Sequence, residues 1–231
     1  LIQKAMIWVD DTKEEALASL GMTIQEVSVT GRDRTTPHSL MKVLQVERGR
    51  SIFDFDPEVV RSRIEQLGWV ETASVMRRFP DEIFVRLTER RPFARWQLNG
   101  KTSIIDRNGV VITKSEMAEF RYLPKIVGIA ANKDAAELFD MLAKTPALFT
   151  RLQNAIRIRE RRWNLEFDNG VTVLLPEEGS SEAWAGLDKM QQDKKILNKS
   201  VMTIDLRSKD RIYVRLRPDD AQIRRDAESE T

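Results

Sequence analysis

The segment "RRWNLEFDNGVTVLLP", residues 161–176, leaves its backbone little choice. Trp163, Leu165 and Phe167 alternate with polar residues on one arm, and Val171, Val173 and Leu175 alternate on the other, the period-two pattern of paired strands with one buried face. Asp168-Asn169-Gly170 lies between them. If Phe167 pairs with Val171, Leu165 meets Val173 and Trp163 meets Leu175, with Gly170 in the left-handed position of a three-residue loop. A two-residue Asn-Gly turn would set Phe167 opposite Thr172 and mix the two faces, so the longer loop is expected.

The same pattern recurs around it. Asn108-Gly109 sits between two aliphatic runs in "TSIIDRNGVVIT", a hairpin signal. Met202, Ile204 and Leu206 alternate into a turn at "RSKD", and Ile212, Val214 and Leu216 are expected to return on the same face, leaving Arg211, Tyr213, Arg215 and Arg217 outside. Helices are expected between the hairpins. Ala135, Leu138, Phe139 and Leu142 recur at helical spacing, and a helix restarts at Thr145-Pro146. A third, over Ser181–Leu197, carries Trp184, Leu187 and Met190 on one side.

The first half obeys a different rhythm. "MTIQEVSVTG" reads as a short strand ended by Gly31. Thr36 then caps a helix opened by Pro37, with Leu40 and Leu44 on one face. Asp56 and Pro57 repeat the device for a helix with Val60, Ile64 and Leu67 inward, expected to end at Gly68. Two strands follow, flanking Phe79-Pro80-Asp81, where Pro80 predicts a type I turn. Ala73 and Val75 then share a face with Ile83, Val85 and Leu87. Strand, helix, helix, strand, strand is an α+β unit whose helices cover one face of a small sheet. Proline ends that ladder at Arg91-Pro92. The expected organisation is a lead-in over 1–22, an α+β domain over 23–91, a mainly antiparallel β domain with flanking helices over 92–217, and a disordered tail over 218–231.

Little in the chain points to catalysis. There is no cysteine, which removes thiol nucleophiles and thiolate metal sites, and His38 is the single histidine, in the first turn of a helix. Asp54 and Asp56 resemble a metal pair, but Asp56 is accounted for as a helix cap. No Gly-rich phosphate loop is present. A formal net charge of +2 gives no global reason to bind nucleic acid, although the basic, aromatic run Arg157 to Trp163 would suit it locally. No apolar run approaches the roughly 18 residues that cross a bilayer. The chain opens on Leu1 rather than Met, so a segment upstream is expected to have been removed.

With these elements in place, "GWVETASVMRRFPDEIFVRLTERRPFARW" resembles the POTRA domain of the FtsQ/DivIB family of bacterial cell-division proteins. Trp69, Val70, Val75, Arg78, Pro80, Asp81, Val85, Glu89, Pro92, Ala94 and Trp96 carry the likeness. "IIDRNGVVI", "LPKIVG", the 161–176 hairpin and "IDLRSKDRIYVRL" are similar to the landmarks of that family's β domain, in the same order.

The resemblance implies a non-enzymatic divisome scaffold acting in septum formation, with no cofactor and no small-molecule ligand. It implies a single-pass inner-membrane protein at the mid-cell division site, anchored by an upstream transmembrane helix, with this region in the periplasm. Its implied partners are an FtsB–FtsL-type coiled-coil pair at the β domain and other divisome proteins at the POTRA domain, and no nucleic acid. The last strand would accept a partner strand through Arg211, Ile212, Tyr213, Val214 and Arg215, beside Arg207 of the "D-L-R" turn as the ion-pairing arginine. Ser208 follows that arginine where close relatives often carry an aromatic residue, and the aromatic here is Tyr213. Two alternatives stand beside this reading: a POTRA module of an outer-membrane assembly or secretion factor, and a nucleic-acid module using Arg157 to Trp163.

Overall fold

A computed structural model describes residues 21–115, 118–208 and 210–218. Of the lead-in expected over 1–22 the part before Gly21, and of the tail expected over 218–231 the part after Pro218, lie outside the described residues. The chain divides into two compact units meeting between Arg90 and Arg91, each with its own hydrophobic core.

The first unit runs β1 (Glu26–Thr30), α1 (Pro37–Leu44), α2 (Pro57–Ile64), β2 (Val70–Arg78) and β3 (Glu82–Glu89). Both helices start as their sequences dictate. The Thr36 hydroxyl accepts from the Ser39 N–H at 3.1 Å, and the Asp56 carboxylate accepts from the Glu58 and Val59 N–H groups at 2.9 and 3.2 Å. Their apolar stripes bury Leu40, Leu44, Val60 and Ile64 against Val75, Ile83, Val85 and Leu87 of the sheet. The strand order is β1-β3-β2, with β1 parallel and β2 antiparallel to β3. A parallel partner needs a crossover, which the two helices supply.

One local expectation is corrected here. Helix α2 stops at Ile64, four residues before Gly68, because Gln66, Leu67 and Val70 turn the chain through successive short-range backbone bonds. Gly68 has no left-handed φ to supply. The Phe79–Pro80 bond in the β2–β3 connection is cis.

The second unit contains β4 (Ala94–Leu98), β5 (Lys101–Ile105), β6 (Val111–Thr113), β7 (Lys125–Val127), α3 (Ala131–Leu142), α4 (Pro146–Phe149), β8 (Leu152–Ile158), β9 (Arg162–Phe167), β10 (Thr172–Leu174), α5 (Ser180–Lys194), a 3-10 turn (Ile196–Asn198), β11 (Val201–Asp205) and β12 (Tyr213–Leu216). They form one nine-stranded sheet in the order β12-β11-β10-β9-β8-β7-β4-β5-β6. Hairpin neighbours pair antiparallel; β4–β7, β7–β8 and β10–β11 are parallel. In the last two pairs a helical crossover joins the strands, α3 with α4 in one and α5 in the other.

The hairpin at 161–176 has the longer loop. Leu165 pairs with Val173, the Phe167 N–H donates to the Val171 carbonyl at 2.9 Å, and Gly170 takes φ +81°. Both arms bury their alternating residues under Leu138, Phe139 and Leu142 of α3 and Trp184 and Leu187 of α5, Trp184 stacking on Phe167 at 6.4 Å. Full burial of one such aliphatic side chain stabilises the fold by about 1.5–3 kcal/mol.

At the far end of the sheet Ile204 pairs with Val214, as their shared face requires, but the expected alternation breaks at Met202. Val201 and Ile204 of β11 and Leu206 just past its end are buried, whereas Met202 is 40% exposed. A bulge between Val201 and Thr203 inserts one residue and shifts the phase. Ile212 and Val214 were expected to return onto a covered face; they are 47% and 41% exposed, and of this strand only Leu216 touches the core. The helices bury β11, and β12 lies beyond them as the outermost strand.

Candidate protein-docking edge

Strand β12 pairs with β11 on one side and with no described strand on the other. Arg217, just past its end, donates its backbone N–H to the Ser200 carbonyl at 3.0 Å. Backbone direction alternates along a strand, so Tyr213 and Arg215 also turn their polar groups toward β11. Val214 and Leu216 therefore present their N–H and C=O groups to the open side.

The side chains along this edge are unusual for a solvated strand. Ile212, Tyr213 and Val214 are three successive large apolar or aromatic residues at 47%, 56% and 41% exposure. Arg211 and Arg215 flank them and are exposed. The Arg217 guanidinium instead donates to the Asn169 carbonyl at 3.1 Å, tying the strand's end to the loop of the 161–176 hairpin.

Arg207 sits in the turn that leads from β11 to this edge. Its Nε donates to Asp205 Oδ1 at 2.8 Å, its Nη2 donates to Asp205 Oδ2, and its backbone N–H also reaches Oδ1 at 3.0 Å. Those bonds from Arg207 hold the Asp205 carboxyl below its usual range despite partial burial, and the pair raises Arg207 in turn. The arginine is thus already matched within the chain. Asp205 was absent from the residues expected at the site, although an aspartate two positions before an arginine in "DLR" is a sequence signal for such a closed pair.

The other candidate residues are dispersed. His38 is exposed in the first turn of α1, and Asp56 is occupied by its capping bonds. Among the described residues, no group of three His, Cys, Asp or Glu side chains could hold a metal ion. The basic run at 157–163 is built into the fold. Arg157 pairs with Asp134 at 2.7 Å and lies 5.0 Å from the Trp163 ring centre, and Trp163 is only 6% exposed. A ring so buried offers no face on which a base could stack. No helix among the described residues is long and apolar enough to cross a membrane.

Comparison with known proteins matches both units. A family model described as the FtsQ-type POTRA domain covers residues 22–90, and one described as the C-terminal part of cell division protein FtsQ/DivIB covers residues 94–207. The second ends at Arg207, before β12 begins. Cell division protein FtsQ of Rickettsia bellii (strain RML369-C) is 32% identical over 200 residues, spanning 87% of this chain and 74% of that protein. FtsQ of Caulobacter vibrioides (strain NA1000 / CB15N) is 32% identical over 204 residues, 88% of this chain and 68% of that protein. FtsQ of Bartonella bacilliformis is 34% identical over 212 residues, with 92% and 68% covered.

Proposed function

The chain belongs to the FtsQ/DivIB family of cell-division proteins, and from that premise we propose that it is a divisome scaffold without catalytic activity whose last strand, β12, receives a strand from an FtsB–FtsL-type partner. The observation that carries this reading is the exposed Ile212-Tyr213-Val214 run on the outermost strand of a nine-stranded sheet. Unprotected edges invite pairing, and native proteins blunt them or use them. Strand addition draws affinity from main-chain hydrogen bonds and specificity from alternate side chains. Val214 and Leu216 offer the main-chain groups; Tyr213, with Arg211 and Arg215 beside it, offers an aromatic, basic face that suits an acidic partner segment. Arg207 would join the interface by exchanging or sharing Asp205 with a partner carboxylate.

In this reading the POTRA domain contacts other divisome proteins, and an upstream transmembrane helix holds the protein in the inner membrane with this region in the periplasm at mid-cell. The two alternatives lose ground for specific reasons. Residues 94–207 match the FtsQ/DivIB model rather than a second POTRA copy, and the Arg157 to Trp163 run is spent on an internal ion pair and a buried ring.

The test is binding of the purified chain to a purified FtsB–FtsL-type pair from the same organism. Val214→Pro removes an outward N–H and spares the β11 ladder, so it should abolish binding with the circular dichroism unchanged. Tyr213→Lys should do the same, and Arg207→Glu should weaken binding most at low salt. Normal binding by both Val214→Pro and Tyr213→Lys would sink the edge-strand reading.

A further inference from the structure

Four strands inward from β12, the starts of β4, β7 and β8 border an open cleft. Arg95 pairs with Lys125 across the parallel β4–β7 ladder, and Lys125 pairs with Asn154 across β7–β8, so the three stand in one row on the same face of the sheet. It is the face away from α3 and α5, because the next residue of each strand, Trp96, Ile126 and Ala155, turns into the core beneath those helices. Arg121 joins the row from the loop before β7.

Three cations thus gather with no carboxylate among the residues lining the cleft. The Arg95 Nε donates to the Leu123 carbonyl at 2.9 Å, and among the described residues neither Arg121 nor Lys125 has a side-chain hydrogen bond or ion pair. Of the acids nearest in sequence or register, Glu166 accepts from Asn154 Nδ2 at 2.8 Å, Glu119 is exposed and does not line the cleft, and Glu116 lies outside the described residues. Burial, and then the charge of Arg121, pull the Arg95 guanidinium below its usual range. The fold holds two like charges against each other, and an anion between them would relieve the repulsion.

Much of the remaining lining is apolar. Tyr122 is 75% exposed, and Pro124, Phe149 and Leu152 are only partly covered. A uniformly charged polymer has no use for such a surface, whereas a peptide that carries both carboxylates and an apolar side chain matches the whole of it.

We propose that this cleft is a second protein-docking site, for an acidic polypeptide segment that sets carboxylates against Arg95, Arg121 and Lys125 and an apolar or aromatic side chain against Tyr122 and Leu152. It is separate from the β12 edge, since β9, β10 and β11 lie between them. One sheet therefore offers two basic surfaces and can hold two partner segments at once.

The test is titration of the full chain with the synthetic peptide EELEELEE, followed by amide NMR. Resonances of Arg121–Lys125 and Thr150–Asn154 should move saturably, more tightly than with octaglutamate, and the affinity should fall as salt is raised. Arg121→Glu with Lys125→Glu should weaken binding about tenfold or more, while Arg211→Ala with Arg215→Ala should leave the shifts in the cleft unchanged. Arg121→Gln should weaken binding yet melt no lower than the parent, which separates a binding arginine from a structural one. Glu116→Gln with Glu119→Gln should not weaken binding, and a loss would overturn an assignment made on charge. Unmoved resonances at low salt, or equal binding by the Arg121→Glu, Lys125→Glu chain, would overturn the proposal. So would movement with a random DNA oligonucleotide or with phosphatidylglycerol vesicles but not with the peptide. Deletion of residues 1–20 or 219–231 should leave the cleft resonances in place; if either moves them, the chain's own terminus is the occupant and a separate partner is overturned.

Discussion

Ile204 and Val214 face each other across the last ladder of the large sheet, yet Ile204 has no exposed surface and Val214 is 41% exposed. The boundary between core and surface therefore runs between two hydrogen-bonded strands. Every fully buried residue of the second core lies at or before Leu206. What lies beyond it is held by one ladder and by contacts at its ends, which leaves its side chains free for another molecule.

That boundary can be measured. Ile204→Ala should cost about 2–5 kcal/mol, the range for a buried aliphatic truncation that leaves a cavity. Val214→Ala, which creates no cavity, should cost under about 1 kcal/mol. Urea unfolding of both variants checks the contrast, and equal losses would mean that β12 is packed as core.

Glycine is required at Gly31, where β1 leaves the first sheet with φ +76° and a Cβ would approach the Leu87 carbonyl oxygen to 2.0 Å. Gly31→Ala should destabilise the first unit by about 2 kcal/mol or more, combining backbone strain with displacement of β3. Faster amide exchange in β1 and β3, with the 161–176 hairpin unaffected, is the expected signature.

Glu89 makes the first unit acid-sensitive. Its carboxylate accepts the Arg34 and Thr35 backbone N–H groups, both at 2.7 Å, and so ties the loop before α1 to the end of β3. Burial alone would raise this carboxyl, but hydrogen bonding from Thr35 and from the Arg34 and Asp33 backbone outweighs it and holds the group below its usual range. Its contribution is then present above the ordinary value of 4.5 and disappears as pH falls through the lower folded value. Glu89→Gln should lower stability at neutral pH by about 1–2 kcal/mol and flatten the loss below pH 4.5. Melting curves across pH 3 to 7 follow both effects.

Asp134→Ala strips Arg157 of its carboxylate partner, leaving the Glu160 carbonyl, while the guanidinium stays largely covered beside Trp163. A loss of about 1–3 kcal/mol is expected, more than an exposed ion pair carries. Random oligonucleotides should show no retardation with the parent chain even at low salt. A shift that weakens as salt rises would restore the nucleic-acid reading.

How much was legible follows from the range of the interactions. The caps at Thr36 and Asp56 and the register of Leu165 against Val173 depend on residues within a few positions of each other, and local pattern sufficed. The β4–β7 and β7–β8 pairings join segments about 30 residues apart that carry no common signal. The bulge at Met202 was hidden because Met202, Ile204 and Leu206 alternate so regularly. One inserted residue turned Val201 inward and Met202 outward. The candidate edge itself was found through resemblance, whereas its exposure emerged only with the three-dimensional order of strands. The Arg207–Asp205 pair is a two-residue spacing within "DLR" and so lies within reach of local pattern.

The place of β12 in the chain has a genetic consequence. Synthesis delivers every other strand of its sheet, and every fully buried residue of its core, before Tyr213 emerges. A nonsense codon at Arg211 would therefore remove β12 and all that follows it while keeping every fully buried residue of the second core. Its phenotype would be that of a lost contact rather than of a lost protein.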